Sequence, residues 1–172
     1  MVFVNDLTNR EYAPFYKPYI EKAGDLCLLD ALAISAKNME VFLINVPKTK
    51  LEYRYSKDKW TIKEILLHLI DAERVFAYRA LRFSRNDKTP VMGFDENSYV
   101  PQSGANTRTL NSLLNEYKTQ RASTLAMFSN FTEEMFRRKG MASGTQMSVR
   151  ALGFVIVGHE IHHSIIIKER YL

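Results

Sequence analysis

Four long stretches of this chain repeat apolar residues at helical spacing, and none alternates convincingly as a β-strand. The first runs from about Asp25 to Val46, with Leu28, Leu32, Ala36, Met39, Leu43 and Val46 on one face, and Pro47 stops it. The second opens at Thr61-Ile62-Lys63-Glu64, a capping box, and continues to about Ser84. A third begins near Thr107 and carries Leu110, Leu113, Leu114, Tyr117, Leu125 and Phe128. A shorter piece, Thr132 to Arg138, has Thr132 as its cap and Gly140 as its terminator, and the last helix runs from near Ser148 almost to Leu172. Between the second and third patterns lie Asp87 to Asn106, with Pro90, Gly93, Pro101 and Gly104. So long a loop inside a compact domain has work to do, crossing the bundle or lining a site. A crossover lets helices two and three run parallel, where a short turn would force them antiparallel. The expected fold is an all-α four-helix bundle, a single domain over residues 1–172. Residues 1–24 form an extended arm with at most one helical turn after Thr8.

The histidines are unevenly spent. Three of the four fall in Gly158-His159-Glu160-Ile161-His162-His163, and His68 stands alone upstream. His159 and His163 are four apart, so on a helix their rings project from one face and can close on one metal ion. His68 shares the inward face of helix two with Ile65, Leu69, Ala72 and Phe76. It lies about 10 Å along its helix from Thr61, and His163 about 12 Å from the far end of the last helix at Tyr171, at 1.5 Å per residue. With helices two and four antiparallel, the three rings meet at one level. Three histidines leave positions free for water or substrate, the arrangement of a catalytic site. His162, rotated about 100° from His163, is expected to support the ligands from behind or to sit at the rim rather than to serve as a fourth ligand. Glu160 is a candidate general base for a metal-bound water, and Asp71 a candidate to orient the His68 ring.

Two other motifs fail. His159-Glu160-Ile161-His162-His163 satisfies H-E-x-x-H, but Glu169 and Ile166 stand where an extended metzincin motif needs histidine and glycine. A di-iron carboxylate bundle wants two E-x-x-H repeats, and Glu64 and His68 are four apart rather than three. Arg74, Arg79, Arg82 and Arg85 give helix two a basic side, expected to be solvated or subunit-facing, while Trp60 is expected to pack at the helix start. The net charge of +5 is interleaved with acids and forms no basic block, so nucleic acid is not an expected partner. No signal peptide is read at Met1 to Glu11, and the apolar run Ala151 to Val157 is far short of the roughly 20 residues that span a bilayer. One cysteine, Cys27, excludes an internal disulfide, suits the cytoplasm, and leaves nitrogen and oxygen as the metal-ligating atoms.

Arg54-Tyr55, Lys59-Trp60-Thr61-Ile62-Lys63-Glu64 and His68-Leu69-Ile70-Asp71-Ala72-Glu73-Arg74 together resemble the DinB/YfiT-like superfamily of metalloenzymes. So do Gly93-Phe94-Asp95-Glu96 in the long loop and Gly158-His159-Glu160-Ile161-His162-His163. The resemblance implies an up-down-down-up bundle, often a homodimer, with a divalent ion held by His68, His159 and His163, and all-histidine ligation suits zinc, nickel or iron. It also implies a small-molecule substrate. Some relatives transfer low-molecular-weight thiols, some are thiol-dependent isomerases, and many have no known activity. The expected function is therefore metal-dependent thiol transfer or hydrolysis. The alternative is a non-enzymatic binding or stress-response protein whose metal is structural.

Overall fold

The computed structural model describes all 172 residues. Four long helices, α2 (Leu28–Ile44), α3 (Ile62–Ser84), α5 (Leu110–Phe128) and α7 (Val149–Arg170), follow the four periodicities. Short helices α1 (Lys17–Lys22), α4 (Glu96–Tyr99) and α6 (Glu133–Arg137) lie between and before them. The capping box at α3 forms as read: Thr61 Oγ1 accepts from the Glu64 N–H at 3.1 Å, and the Glu64 carboxylate accepts from the Thr61 N–H at 2.7 Å. Glu64 also takes bonds from Arg54 and Asn106, which ties the end of the long loop to the start of α3. α7 is capped by Ser148 and is buried at every position from Ala151 to Gly158, so its first half is the central strut of the bundle.

The apolar core divides into two clusters. One gathers the carboxyl half of α3 and the amino half of α7, around Phe76, Phe83, Phe128 and Phe154. The other gathers the amino half of α3 and the carboxyl end of α7, around Ile62, Leu66, Tyr117 and Ile167. At one end of the molecule Tyr171 donates to the Trp60 carbonyl at 2.6 Å. At the other, Arg138 donates to the Ser84 carbonyl at 2.5 Å and accepts from the Val149 N–H at 3.0 Å. Between the clusters lies a polar layer that includes Glu73, Arg121 and Glu160, each 3% exposed.

Several expectations need correcting. Residues 139–148 are not a helix terminator and connector but a β-hairpin, β1 (Lys139–Ala142) paired antiparallel with β2 (Thr145–Ser148). Its turn residues Ser143 and Gly144 both take positive φ, 50° and 76°, which matches the right-handed twist of a two-residue hairpin. Gly140 sits inside β1, where a Cβ would stand 2.1 Å from the Phe83 ring, so the glycine is there for close packing. Val91 of the long loop bridges Ala142, which fastens that loop to the hairpin.

The first 24 residues are also more structured than an extended arm. Single 3₁₀ turns at Val4–Asp6 and Pro14–Tyr16 lead into α1, with Pro18 in its first turn, where a missing N–H costs nothing. α1 lies on α7 at Gly158, where any Cβ would fall 1.7 Å from the Tyr19 carbonyl oxygen. That contact carries the aromatic residues of the arm to the histidine end of α7. Upstream, Glu11 pairs with Arg150 at 2.6 Å and its carbonyl accepts from the Ser148 N–H. The basic side of α3 is solvated only in part. Arg74 and Arg82 reach outward to Glu116 and Asp87, but Arg79 is 1% exposed.

Candidate metal centre

α3 and α7 bring together the three histidines expected to meet. One ring nitrogen from each of His68, His159 and His163 lies within 4.8 Å of the others. The Nε2 of His159 is 3.1 Å from that of His68 and 3.1 Å from that of His163. A proton can be shared by only two of these nitrogens at a time, whereas a cation between them satisfies all three. Donors about 2.1 Å from a common ion stand about 3.0–3.4 Å apart at angles of 90–109°, so the triad fits a divalent ion. The donors carry no charge of their own. Burial pushes the His68 imidazole down to about 4. Burial, then the neighbouring His68 and His162, pushes His163 down to about 3, and burial followed by the other rings puts His159 well below its usual range. All three therefore keep their lone pairs free at neutral pH.

Packing holds the rings. Trp60 lies against His68 with centroids 4.8 Å apart and stacks on His163 at 6.5 Å and 22°. Tyr19 from α1 meets His159 edge-on at 5.6 Å and His162 at 5.2 Å. Phe76 meets His159 edge-on at 6.3 Å. The Nδ1 of His163 is sealed with no partner, so stacking rather than a hydrogen bond orients that ring.

The histidines line an open cavity of about 270 Å³. Trp60, Phe76 and Val155 wall it, and the arm adds Phe15, Tyr16 and Tyr19. The long loop contributes Phe94 and Glu96, as its length foretold, and the hairpin contributes Ser143. Arg79 lines the same cavity. Sequence reasoning missed this residue, Trp60 and the arm. The signal for Arg79 was its place on the His68, Ala72, Phe76 face, obscured by three other arginines nearby.

Two expected helpers of the triad lie elsewhere. Asp71 pairs with Arg74 at 3.1 Å instead of with His68. Glu160 points away from the cavity into the polar layer, where Tyr117 and Arg121 donate to its Oε2 while Oε1 has no partner. Burial raises its carboxyl above the usual range even though Arg121 and Tyr117 pull it down. His162 lines the cavity against Tyr19 and stands outside the cluster of three ring nitrogens.

The DinB superfamily profile matches residues 31–167. The chain belongs to the DinB superfamily. Among solved structures it is similar to YfiT from Bacillus subtilis, described as a probable metal-dependent hydrolase with an unusual four-helix bundle topology. The TM-score is 0.70 at 16% identity, over 95% of this chain and 89% of that one. It is also similar to a mycothiol-dependent maleylpyruvate isomerase, with TM-score 0.67 at 12% identity over 96% of this chain, which spans 62% of the isomerase. At such identities these likenesses establish the DinB-like fold. No curated protein matches the sequence. No helix is long and apolar enough to cross a membrane.

Proposed function

We propose that this DinB protein is a metal-dependent enzyme in which His68, His159 and His163 hold one zinc, nickel or iron ion and a small molecule reacts at that point. The observation that carries the reading is the convergence of three neutral Nε2 atoms on one point at the wall of an open cavity. A structural metal is closed off by a fourth protein ligand, whereas three ligands beside an open space leave room for substrate. A divalent ion held there would lower the pKa of a coordinated thiol or water. The chain's own part is to supply uncharged donors, fix them by packing against Trp60 and Phe76, and line the space with aromatic walls. Helix directions of the up-down-down-up kind are supported by the Tyr171–Trp60 and Arg138–Ser84 contacts, by Lys63 of α3 with Asn106 just ahead of α5, and by Glu73–Arg121 between α3 and α5.

Thiol transfer is the version we favour, because the carboxylate expected as a base, Glu160, is committed to Arg121 and Tyr117. Hydrolysis gains support from Glu96, whose side chain lines the cavity. The test compares metal-loaded with chelated protein for conjugation of low-molecular-weight thiols to a chromogenic electrophile, alongside ester hydrolysis. One of the two rates should rise at least about a hundredfold with metal, the scale of a metal-generated nucleophile. Equal rates with and without metal, together with a metal-dependent melting temperature, would leave the ion a structural staple.

We also propose a homodimer, working in the cytoplasm in keeping with the free Cys27. Its support is a groove of about 350 Å³ between α2 and α7, where Leu26, Ile34 and Ile165 remain exposed. Light scattering at micromolar concentration should return twice the 19.9 kDa of one chain. A single-chain mass would remove the proposal.

A further inference from the structure

Arg79 is a buried cation without a counter-ion. The other buried basic side chains are paired, Lys63 with Glu52 and Arg121 with Glu73 and Glu160, but no carboxylate lies within 4.0 Å of the Arg79 guanidinium. Its Nη2 donates to the Met92 carbonyl at 3.3 Å and to Ser143 Oγ at 2.8 Å, both neutral acceptors, while Nε is sealed from solvent with no partner. The Phe76 ring lies 5.7 Å from the guanidinium carbon. Leaving a desolvated charge unpaired is strongly unfavourable, and folds keep one where something else supplies the opposite charge.

The cavity says what that is. Arg79 lines the same space as the three histidines, on the α3 face that carries His68, Ala72 and Phe76. From the guanidinium to Phe76 and on to the His159 ring is 5.7 Å and 6.3 Å, so the guanidinium and that ring stand no more than about 12 Å apart. Glu96 is the one carboxylate lining it, and it makes no ion pair with Arg79; its negative field falls on the Tyr19 hydroxyl beside the arm. We infer that the substrate carries a carboxylate, which pairs with Arg79 while its reacting group sits at the histidines. A carboxylate suits the planar, forked donor set of a guanidinium, and about 270 Å³ accommodates a small organic acid. The inference rests on the reading of the histidines as the metal-holding end.

The test uses cobalt-loaded protein titrated with ω-mercapto acids of increasing length and with the matched ω-mercapto alcohols, read by the cobalt–thiolate absorption band. The best acid should bind at least about tenfold more tightly than its alcohol, the worth of one charge-assisted pair. Arg79→Gln should erase that preference while leaving alcohol affinity within about twofold, and Arg79→Lys should keep part of it. Neither variant should melt below the wild type by more than a few degrees, since each relieves or retains the same buried charge. Equal binding of acid and alcohol at every length, survival of the preference in Arg79→Gln, or no binding of either thiol to cobalt-loaded protein overturns the inference. Failure of the metal reading has a different signature, a cobalt spectrum indifferent to His163→Ala. In that case metal-free protein decides: glutarate should raise the melting temperature of wild type but not of Arg79→Gln, and a response equal in both overturns the proposal.

Discussion

Replacing His163 with alanine is expected to lower the affinity for divalent metal about a thousandfold, since even residues that merely orient a ligand are worth 10–100-fold. His159→Ala should match it, and His162→Ala should leave metal affinity unchanged, because His162 is outside the cluster of three ring nitrogens. Chelator competition with elemental analysis of protein purified without a nickel column measures this. A ligand bound at a thousand times its dissociation constant stabilises the fold by about 4 kcal/mol, so added metal should raise the melting temperature of wild type and not of the variant. Stoichiometric metal of undiminished affinity in His163→Ala would end the three-histidine reading. Acid should also weaken the metal-free protein, with a definite sign. His68 and His163 are held neutral when folded, at about 4 and about 3 against 6.5 when free. The unfolded chain thus takes up protons that the folded one refuses, and stability falls as pH drops from about 6.5 toward 3.

Arg121→Met is expected to cost about 3–5 kcal/mol of folding stability, the usual result of stranding buried charge by removing its partner. Arg121 makes paired bonds to Glu73 at 2.9 Å, reaches Glu160 at 2.7 Å, and donates to the Leu32 carbonyl on α2 at 2.7 Å. Burial opposes its charge, but Glu160 and Glu73 outweigh that and hold it protonated beyond the ordinary arginine range. Without it two buried carboxylates face each other. Denaturant titration reads the loss, and replacing Glu73 and Glu160 by leucine in the same background should recover much of it. A loss below about 1 kcal/mol would mean that the layer is not desolvated as described. The cluster also borders His159: a small void between them is lined by Glu73, Arg121, His159 and Glu160. Arg121→Met should therefore weaken metal binding about 10–100-fold, as loss of outer support does. That outcome would identify Glu160 as a positioning residue rather than a base.

The sequence by itself determined the long helices and the meeting of the histidines, because both are local or periodic properties. Capping at Thr61 and Ser148 and the period of 3.6 act within a few residues, and the observed helices follow them. The i, i+4 spacing of His159 and His163 places two rings on one face before any packing occurs. His68 followed because the level of a residue on a helix is a matter of counting. Only the tertiary structure decided what surrounds them. The hairpin at 139–148 has weak strand formers and exists because Phe83 fills the space above Gly140 and Val91 pairs alongside. α1 found its place because Gly158 admits the Tyr19 carbonyl, a contact between residues 139 positions apart that no local pattern announces. Glu160 and Arg79 show the same limit. A charged residue on a helix can face water, a partner or a cavity at equal local cost, and what settles it is which other helix comes to lie alongside. Arg121 from α5 came to Glu160, and no carboxylate came to Arg79.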